Sequence, residues 1–279
     1  MAFNVNEVIL DRVRSLTCHD LEDNKMFMRL TSLEDPSLNT SAEGEEITSA
    51  IGALITTLYR AKKAEFSASN SLVSLDLAAA QYGSTKEVAS SDNKVTDYAY
   101  EILKVETNAE GVVQPIKLAH APKKVVGADG QAVSTLKWIY AIENNEVSTP
   151  YAVGAAVKED EATVGDDGTI TLPTSVKGGK IYVEYQYETD NAVRVVNKAS
   201  EFPTACSVVI YAYFRDVCNE NKIYSGKIIC PKAKLSPESV ELALTSTGKH
   251  PFSFVINPDY CAEEGEDTLF EIVLAGDKI

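Results

Sequence analysis

Histidine, tryptophan and positive charge are scarce in this chain. Three histidines, one tryptophan and 26 Lys or Arg stand against 41 Asp or Glu, a formal net charge of −15. Gripping a nucleic-acid duplex from outside takes clustered cations that displace counterions, so this balance argues against that partner class. His19, His120 and His250 are scattered, and Cys18-His19-Asp20 is a mere adjacency, not a triad signature. No apolar run approaches the roughly 18 residues a transmembrane helix needs, so membrane insertion is not expected. The opening "MAFNVNEVILDRVRSL" breaks its apolar positions with acids and arginines. A signal peptide needs an uninterrupted apolar core, so folding in a cytoplasm is the expectation.

Catalytic signatures are missing too. No G-x-x-x-x-G-K-[ST], no strand-linked G-x-G-x-x-G, no H-E-x-x-H and no G-x-S-x-G occurs. The five cysteines, Cys18, Cys206, Cys218, Cys230 and Cys261, form no CxxC pair. Buried, reduced thiols are a better reading than a zinc site. The 12-residue spacing of Cys206, Cys218 and Cys230 has no counterpart in metal-binding motifs. The acid-rich "DEATVGDDG" and "CAEEGED" lack the ligand spacing of a calcium loop and read as solvated turns. These features give no expectation of an enzyme, a cofactor or a metal.

What the chain does have is strand texture. Ile102, Tyr100 and Tyr98 alternate with Leu103, Glu101 and Ala99, and Ile181, Val183, Tyr185 and Tyr187 share one face of "GKIYVEYQYET". Phe252, Phe254 and Ile256 keep a period of two, as do Val240, Leu242 and Leu244 after Leu235. "SVELALTST" is read as strand against a competing helix start at Ser236-Pro237-Glu238. "NAEG", "GADG" and "GDDG" supply hairpin turn chemistry. Residues 1 to about 30 space Val5, Val8, Ile9, Val13 and Leu16 as a short amphipathic helix or an arm would. Residues 34–46, "EDPSLNTSAEGEE", are expected to be an exposed acidic loop.

One helix is marked, over residues 70–83. Asn70 or Ser71 can cap it, Leu72, Leu75, Ala79 and Tyr82 form an apolar stripe, and Gly83 can take the left-handed turn that ends it. The expected fold is therefore mainly β, a sandwich or barrel-like body with one prominent helix and an N-terminal arm. Residues 1–45 would be arm and acidic loop, 46–110 with 189–279 the core, and 111–188 an elaborated hairpin region or inserted β module.

Residues 46–83, "EEITSAIGALITTLYRAKKAEFSASNSLVSLDLAAAQYG", resemble the major tail tube protein of long-tailed bacteriophages, as do the closing strands "GKIICPKAKLSPESVELALTSTGKHPFSFVINP". The likeness lies in a strand that reaches a hairpin arm and is followed at once by a capped helix. The two stretches together cover about a quarter of the chain. The resemblance implies hexameric rings stacked into a tube in the virion, assembled in the host cytoplasm, with DNA crossing the lumen without specific binding. It implies self-association and contacts with tape measure, terminator and baseplate or tip proteins. Under it, the helix residues Leu72, Leu75, Ala79 and Tyr82 pack inward. Arg60, Lys62 and Lys63, with Glu43, Glu45 and Glu46, are candidate inter-subunit contacts. Asp92, Asp97, Glu101 and Glu106 are candidate lumen acids that would repel phosphate. Two other readings stay open: a different virion protein, such as a tail terminator or capsid decoration, and a carbohydrate-binding sandwich stacking sugars on Trp138 and some of 13 tyrosines.

Overall fold

The computed structural model describes residues 7–276 apart from 127–129, 144–145, 174, 177–178, 218–221, 239, 243–244, 246–247 and 259–266. Val5, Cys218, Leu244, Cys261 and most of "CAEEGED" lie outside the described residues. The fold is mainly β, with one helix among the described residues. It divides into two compact units, residues 1–86 with 195–279, and residues 87–194.

The first unit contains β1 (Val8–Asp20), β2 (Met26–Leu30), β3 (Leu33–Thr48), β4 (Leu54–Asn70) and α1 (Leu75–Tyr82). Between α1 and the strands that complete this unit, the second unit contributes β5 (Glu87–Val88), β6 (Val95–Val105), β7 (Ile116–Lys117), β8 (Lys124–Val126), β9 (Ala132–Ser134) and β10 (Trp138–Glu143). It continues with β11 (Glu146–Val153), β12 (Glu161–Val164), β13 (Thr169–Thr171), β14 (Gly179–Thr189) and β15 (Val193–Arg194). The chain then returns to the first unit for β16 (Ala205–Asp216), β17 (Ile223–Leu235), β18 (His250–Ile256) and β19 (Glu271–Ala275).

The large sheet runs β2-β1-β16-β17-β18-β4-β3, with β19 alongside the first half of β17. One face buries Leu16, Met28, Phe66, Ile210, Phe254 and their neighbours around Leu77 of α1. Cys18, Cys206 and Cys230 are buried in the same core as free thiols. Cys206 and Cys230 sit on the core face of adjacent strands, where Cys206 lies opposite Ala233 and Cys230 opposite Val208. Burial pushes the Cys230 thiol up to about 12.

The N-terminal segment is a strand, not an arm or an amphipathic helix. β1 pairs with β16 along its whole length, and register shifts between Leu10 and Arg12 and between Val13 and Ser15 displace the alternation. Those bulges are why Val8, Ile9, Val13 and Leu16 miss a period of two in the sequence. Residues 34–46 are likewise a strand and not a loop. β3 is an edge strand, half-buried at Leu33, Glu34, Pro36 and Leu38 but exposed on both sides from Asn39 onward, so most of it carries no apolar alternation. Pro36 falls within the register shift between Glu34 and Ser37. Val240, Glu241 and Leu242 have neither strand nor helix structure.

The helix is shorter than the sequence implies, and it turns a different face inward. Ser74 caps it, its side chain accepting from the Leu77 N–H at 3.2 Å, and Gly83 ends it at φ 68°. A Cβ on Gly83 would sit 2.2 Å from the Phe202 carbonyl oxygen, so only glycine fits. Leu77, Ala78, Ala79 and Gln81 are buried, whereas Leu75 is 45% exposed and Leu72, outside the helix, is 64% exposed. Of the expected stripe, only Ala79 is buried and Tyr82 is half-buried. The inward face is set by Leu77, Ala78 and Gln81 instead of the Leu75–Ala79–Tyr82 stripe, because one of its contacts is polar and made through Gln81, which apolar periodicity does not register.

Gln81 explains why a polar residue faces inward. Its Nε2 donates to the Pro251 carbonyl at 3.1 Å, so its Oε1 is left to accept from His250 Nε2 at 2.6 Å. Buried His250 therefore carries its proton on Nε2, and its Nδ1 has no hydrogen-bond partner.

The second unit centres on the sheet β6-β14-β10-β11-β12-β13-β7, with the β8–β9 and β5–β15 ribbons beside it. Its own core includes Leu136, Ile139, Ile170, Ile181 and Val183. The unit begins at residue 87 and ends at 194, because β6 pairs with β14 from Val95↔Thr189 to Val105↔Gly179. β6 thus belongs with the strands that follow it, in contrast to the division expected at 111–188.

Leu77→Asp should abolish soluble expression or cost more than ~3 kcal/mol in urea unfolding, because it buries a charge in the core. Leu75→Asp should leave the isolated chain's stability within ~1 kcal/mol. Burial also lowers the His250 pKa from its ordinary 6.5. Stability should be full above pH 6.5 and should fall as pH drops below it, since the unfolded chain then binds a proton the folded chain resists. Thermal melts between pH 7.5 and 5 should show this slope, and His250→Gln should flatten it.

Candidate assembly surface

Among the described residues no group of His, Cys, Asp and Glu has the geometry of a metal site. The distinctive surface is instead the β3–β4 hairpin. β4 is hydrogen-bonded on both sides only from Ala64 to Asn70, where it faces Ile256 to His250 of β18. From Ala64 outward its one described partner is β3, whose own far side is a sheet edge. Residues 41–63 therefore form a two-stranded ribbon with open edges.

The ribbon's root is secured. Phe66, Ala64 and Ala68 are buried, with the Phe66 and Phe252 ring centroids 6.4 Å apart. Glu34 accepts from Ser71 Oγ at 2.6 Å and pairs with Lys249. The Lys249 ammonium first, then the Ser71 hydroxyl, hold its carboxyl below the usual range.

The outer part carries Ile47, Leu54, Ile55, Leu58 and Tyr59 exposed, with Ile51 at the tip 91% exposed. Tyr59 lies across from Gly44, whose Cβ would touch its ring at 3.4 Å. A lone two-stranded hairpin is marginal in water, and apolar residues on an open-edged ribbon are an aggregation liability unless covered.

The charged residues read as inter-subunit contacts pair within the ribbon. Arg60 meets Glu45 at 3.3 Å and Lys63 meets Glu43 at 3.0 Å, both as diagonal cross-strand pairs. Glu46 faces Thr57, and Lys62 is exposed. The structure thus brings these sequence-selected residues together in one hairpin, where their pairing stiffens the ribbon of a single chain. Sequence reading of this stretch singled out the charges and passed over the apolar side chains between them. Exposed apolar positions on both ribbon faces lack the one-sided alternation that marks a packed strand.

The four acids expected at a lumen all lie in the second unit. Glu101 is half-buried and structural: it accepts from Tyr185 Oη at 2.5 Å and from the Ala119 N–H at 3.1 Å. Tyr185 in turn accepts from the His120 N–H at 3.1 Å, and burial followed by the Glu101 bond raises its pKa. Asp97 accepts from Tyr187 Oη at 2.9 Å, and Glu106 pairs with Lys104 at 3.5 Å. Asp92 is exposed in the turn before β6. No common cluster forms.

The chain is thus sheet-rich, with an apolar, open-edged ribbon at residues 41–63. The chain belongs to the YomU/Tube protein family, whose model matches residues 8–269, a phage-associated family of tube-like structural proteins. No curated protein matches it.

Removing both cations by Arg60→Ala with Lys63→Ala should change unfolding free energy by less than ~1 kcal/mol, since both pairs are solvent-exposed. Urea titration checks this.

Proposed function

We propose that this chain is the repeating subunit of a phage tail tube, closing into hexameric rings that stack around a DNA-conducting lumen. The observation that carries the reading is the ribbon of residues 41–63, whose backbone edges and apolar side chains are unsatisfied in one chain. A second copy satisfies both at once. Strand addition fills the open edges, and ring closure leaves none exposed. Family membership supplies the tube-like class. In the virion the tube would meet the tape measure inside it and terminator and baseplate or tip proteins at its ends, and DNA would pass without sequence-specific contact.

Negative-stain microscopy at rising protein concentration, beside light-scattering mass, tests this. Rings or tubes of constant diameter are expected. Ile55→Asp with Leu58→Asp should leave the monomer's melting within a few degrees of wild type and abolish the rings. A wild-type chain that stays monomeric under assembly conditions, or a double variant that assembles unchanged, would refute the reading.

A further inference from the structure

The second unit carries an exposed aromatic face. On β6, β14 and β10, side chains of one parity build the core, and those of the other parity face outward. An antiparallel sheet with one solvated face ordinarily places polar residues there. Here that face presents Tyr98, 66% exposed, and Tyr100, 72% exposed, from β6, and Trp138, 49% exposed, from β10. Tyr182 lies between Tyr100 and Tyr140, with ring centroids 6.4 Å away on each side. The rings thus run across three adjacent strands, not along one.

Polar groups are set among the rings. Glu184 is directly opposite Tyr100, and Gln186 is opposite Tyr98. Gln186 Nε2 donates to Tyr98 Oη at 2.6 Å, and Tyr182 Oη donates to Glu184 at 3.3 Å. Among the described residues no Lys or Arg forms an ion pair with Glu184. Trp138, Tyr140, Glu184 and Gln186 share an open cleft of about 470 Å³, which Lys137 and Thr135 also line.

We infer that this face binds an extended carbohydrate chain, neutral or bearing free amines. The C–H faces of sugars stack on electron-rich ring faces, and their hydroxyls need interspersed donors and acceptors of the kind Glu184, Gln186 and the tyrosine hydroxyls supply. Glu184, in no ion pair among the described residues, sets a carboxylate beside the Tyr100 ring that repels phosphate, sulfate and uronate at the centre of the rings. Lys137 in the cleft and Lys180 further along the same face make the surface mixed rather than basic, which disfavours nucleic acid and acidic glycans. The Glu184 carboxylate is equally foreign to the dry centre of a protein interface, where charged residues are depleted. A ligand offering hydroxyl or ammonium donors is complementary to it. This inference does not depend on the tube reading, because the face belongs to a unit with its own core.

The chain's single tryptophan is in the cleft, so its emission reports occupancy directly. Full-length protein is titrated with chitohexaose and with the de-acetylated glucosamine hexamer, alongside cellohexaose, mannohexaose, hyaluronan fragments and oligo-dT. Saturable emission change with at least one neutral or amino-sugar oligomer is expected, and none with hyaluronan or oligo-dT. By calorimetry, Trp138→Ala and Tyr100→Ala should each weaken binding at least tenfold, and Glu184→Gln should weaken the glucosamine oligomer more than a neutral one. All three positions are solvent-facing, so unchanged melting curves are expected and separate lost binding from lost folding. The inference is overturned by no binding across the neutral and amino-sugar set, by variants that bind as wild type does, by preferential binding of oligo-dT, or by Trp138→Ala altering self-association instead of glycan binding. Ring formation by Trp138→Ala should be unaffected, which keeps failure here distinct from failure of the tube assignment.

Discussion

Backbone hydrogen bonds that run out before the strand does are the constraint on which this molecule depends. β4 is a central strand from Ala64 to Asn70 and half of a bare ribbon beyond it. The change falls within one continuous strand, so it needs no hinge and no separate domain. Partner strand β18 simply ends at Ile256. Every backbone N–H and C=O must find a partner or water. An open ribbon is soluble on its polar positions but cannot satisfy Ile51, Ile55 and Leu58. Root and ribbon divide the labour. Phe66 against Phe252, and Glu34 against Lys249 and Ser71, set the ribbon's direction, while the outer residues stay uncommitted.

The same sheet logic accommodates the second unit without disturbing the first. The large sheet is assembled from the two ends of the sequence, β1 to β4 and β16 to β19. Its long-range pairing of β1 with β16 means that anything between α1 and β16 can lengthen freely, provided its ends stay together. The β5–β15 ribbon does this. Val88 pairs with Val193, Glu87 with Arg194, and the Arg194 guanidinium reaches the Glu87 carboxylate at 2.8 Å. Residues 87–194 enter and leave at one clasp, bury their own core, and expose a face with its own chemistry.

Legibility in the sequence followed how directly burial was written as periodicity. Phe252, Phe254 and Ile256 alternate in sequence and face the core in the fold. Gly83 marked the helix end correctly, because few residues besides glycine tolerate its φ and none other fits against Phe202. β1 was hidden by two bulges that shift its phase, and β3 by an edge position that needs no apolar alternation. The helix face was misjudged because what Gln81 gains from Pro251 and His250 is a tertiary hydrogen-bond network that no local pattern encodes. Glu101 had no sequence mark distinguishing a structural acceptor from a surface acid. The aromatic face was visible only as a count of tyrosines and one tryptophan; strand register, which composition does not carry, gathers them across β6, β14 and β10.

Net charge shows the same limit in another way. A balance of −15 invites the picture of a uniformly acidic surface that repels DNA. The distribution is not uniform. Asp97, Glu101 and Glu106 are occupied inside the second unit by Tyr187, Tyr185 and Lys104. On the large sheet, exposed Arg12 and Arg14 lie over the Tyr213 ring at 5.5 and 5.8 Å, and Lys227 lies over Tyr211 at 6.0 Å. These cations sit on β1 and β17 and are held by cation–π attraction over rings of β16, the strand between them. The same outward face carries exposed Glu65 on β4 and Glu271 on β19, so its charge is mixed, and the balance of −15 is a sum over the chain rather than a property of any one face.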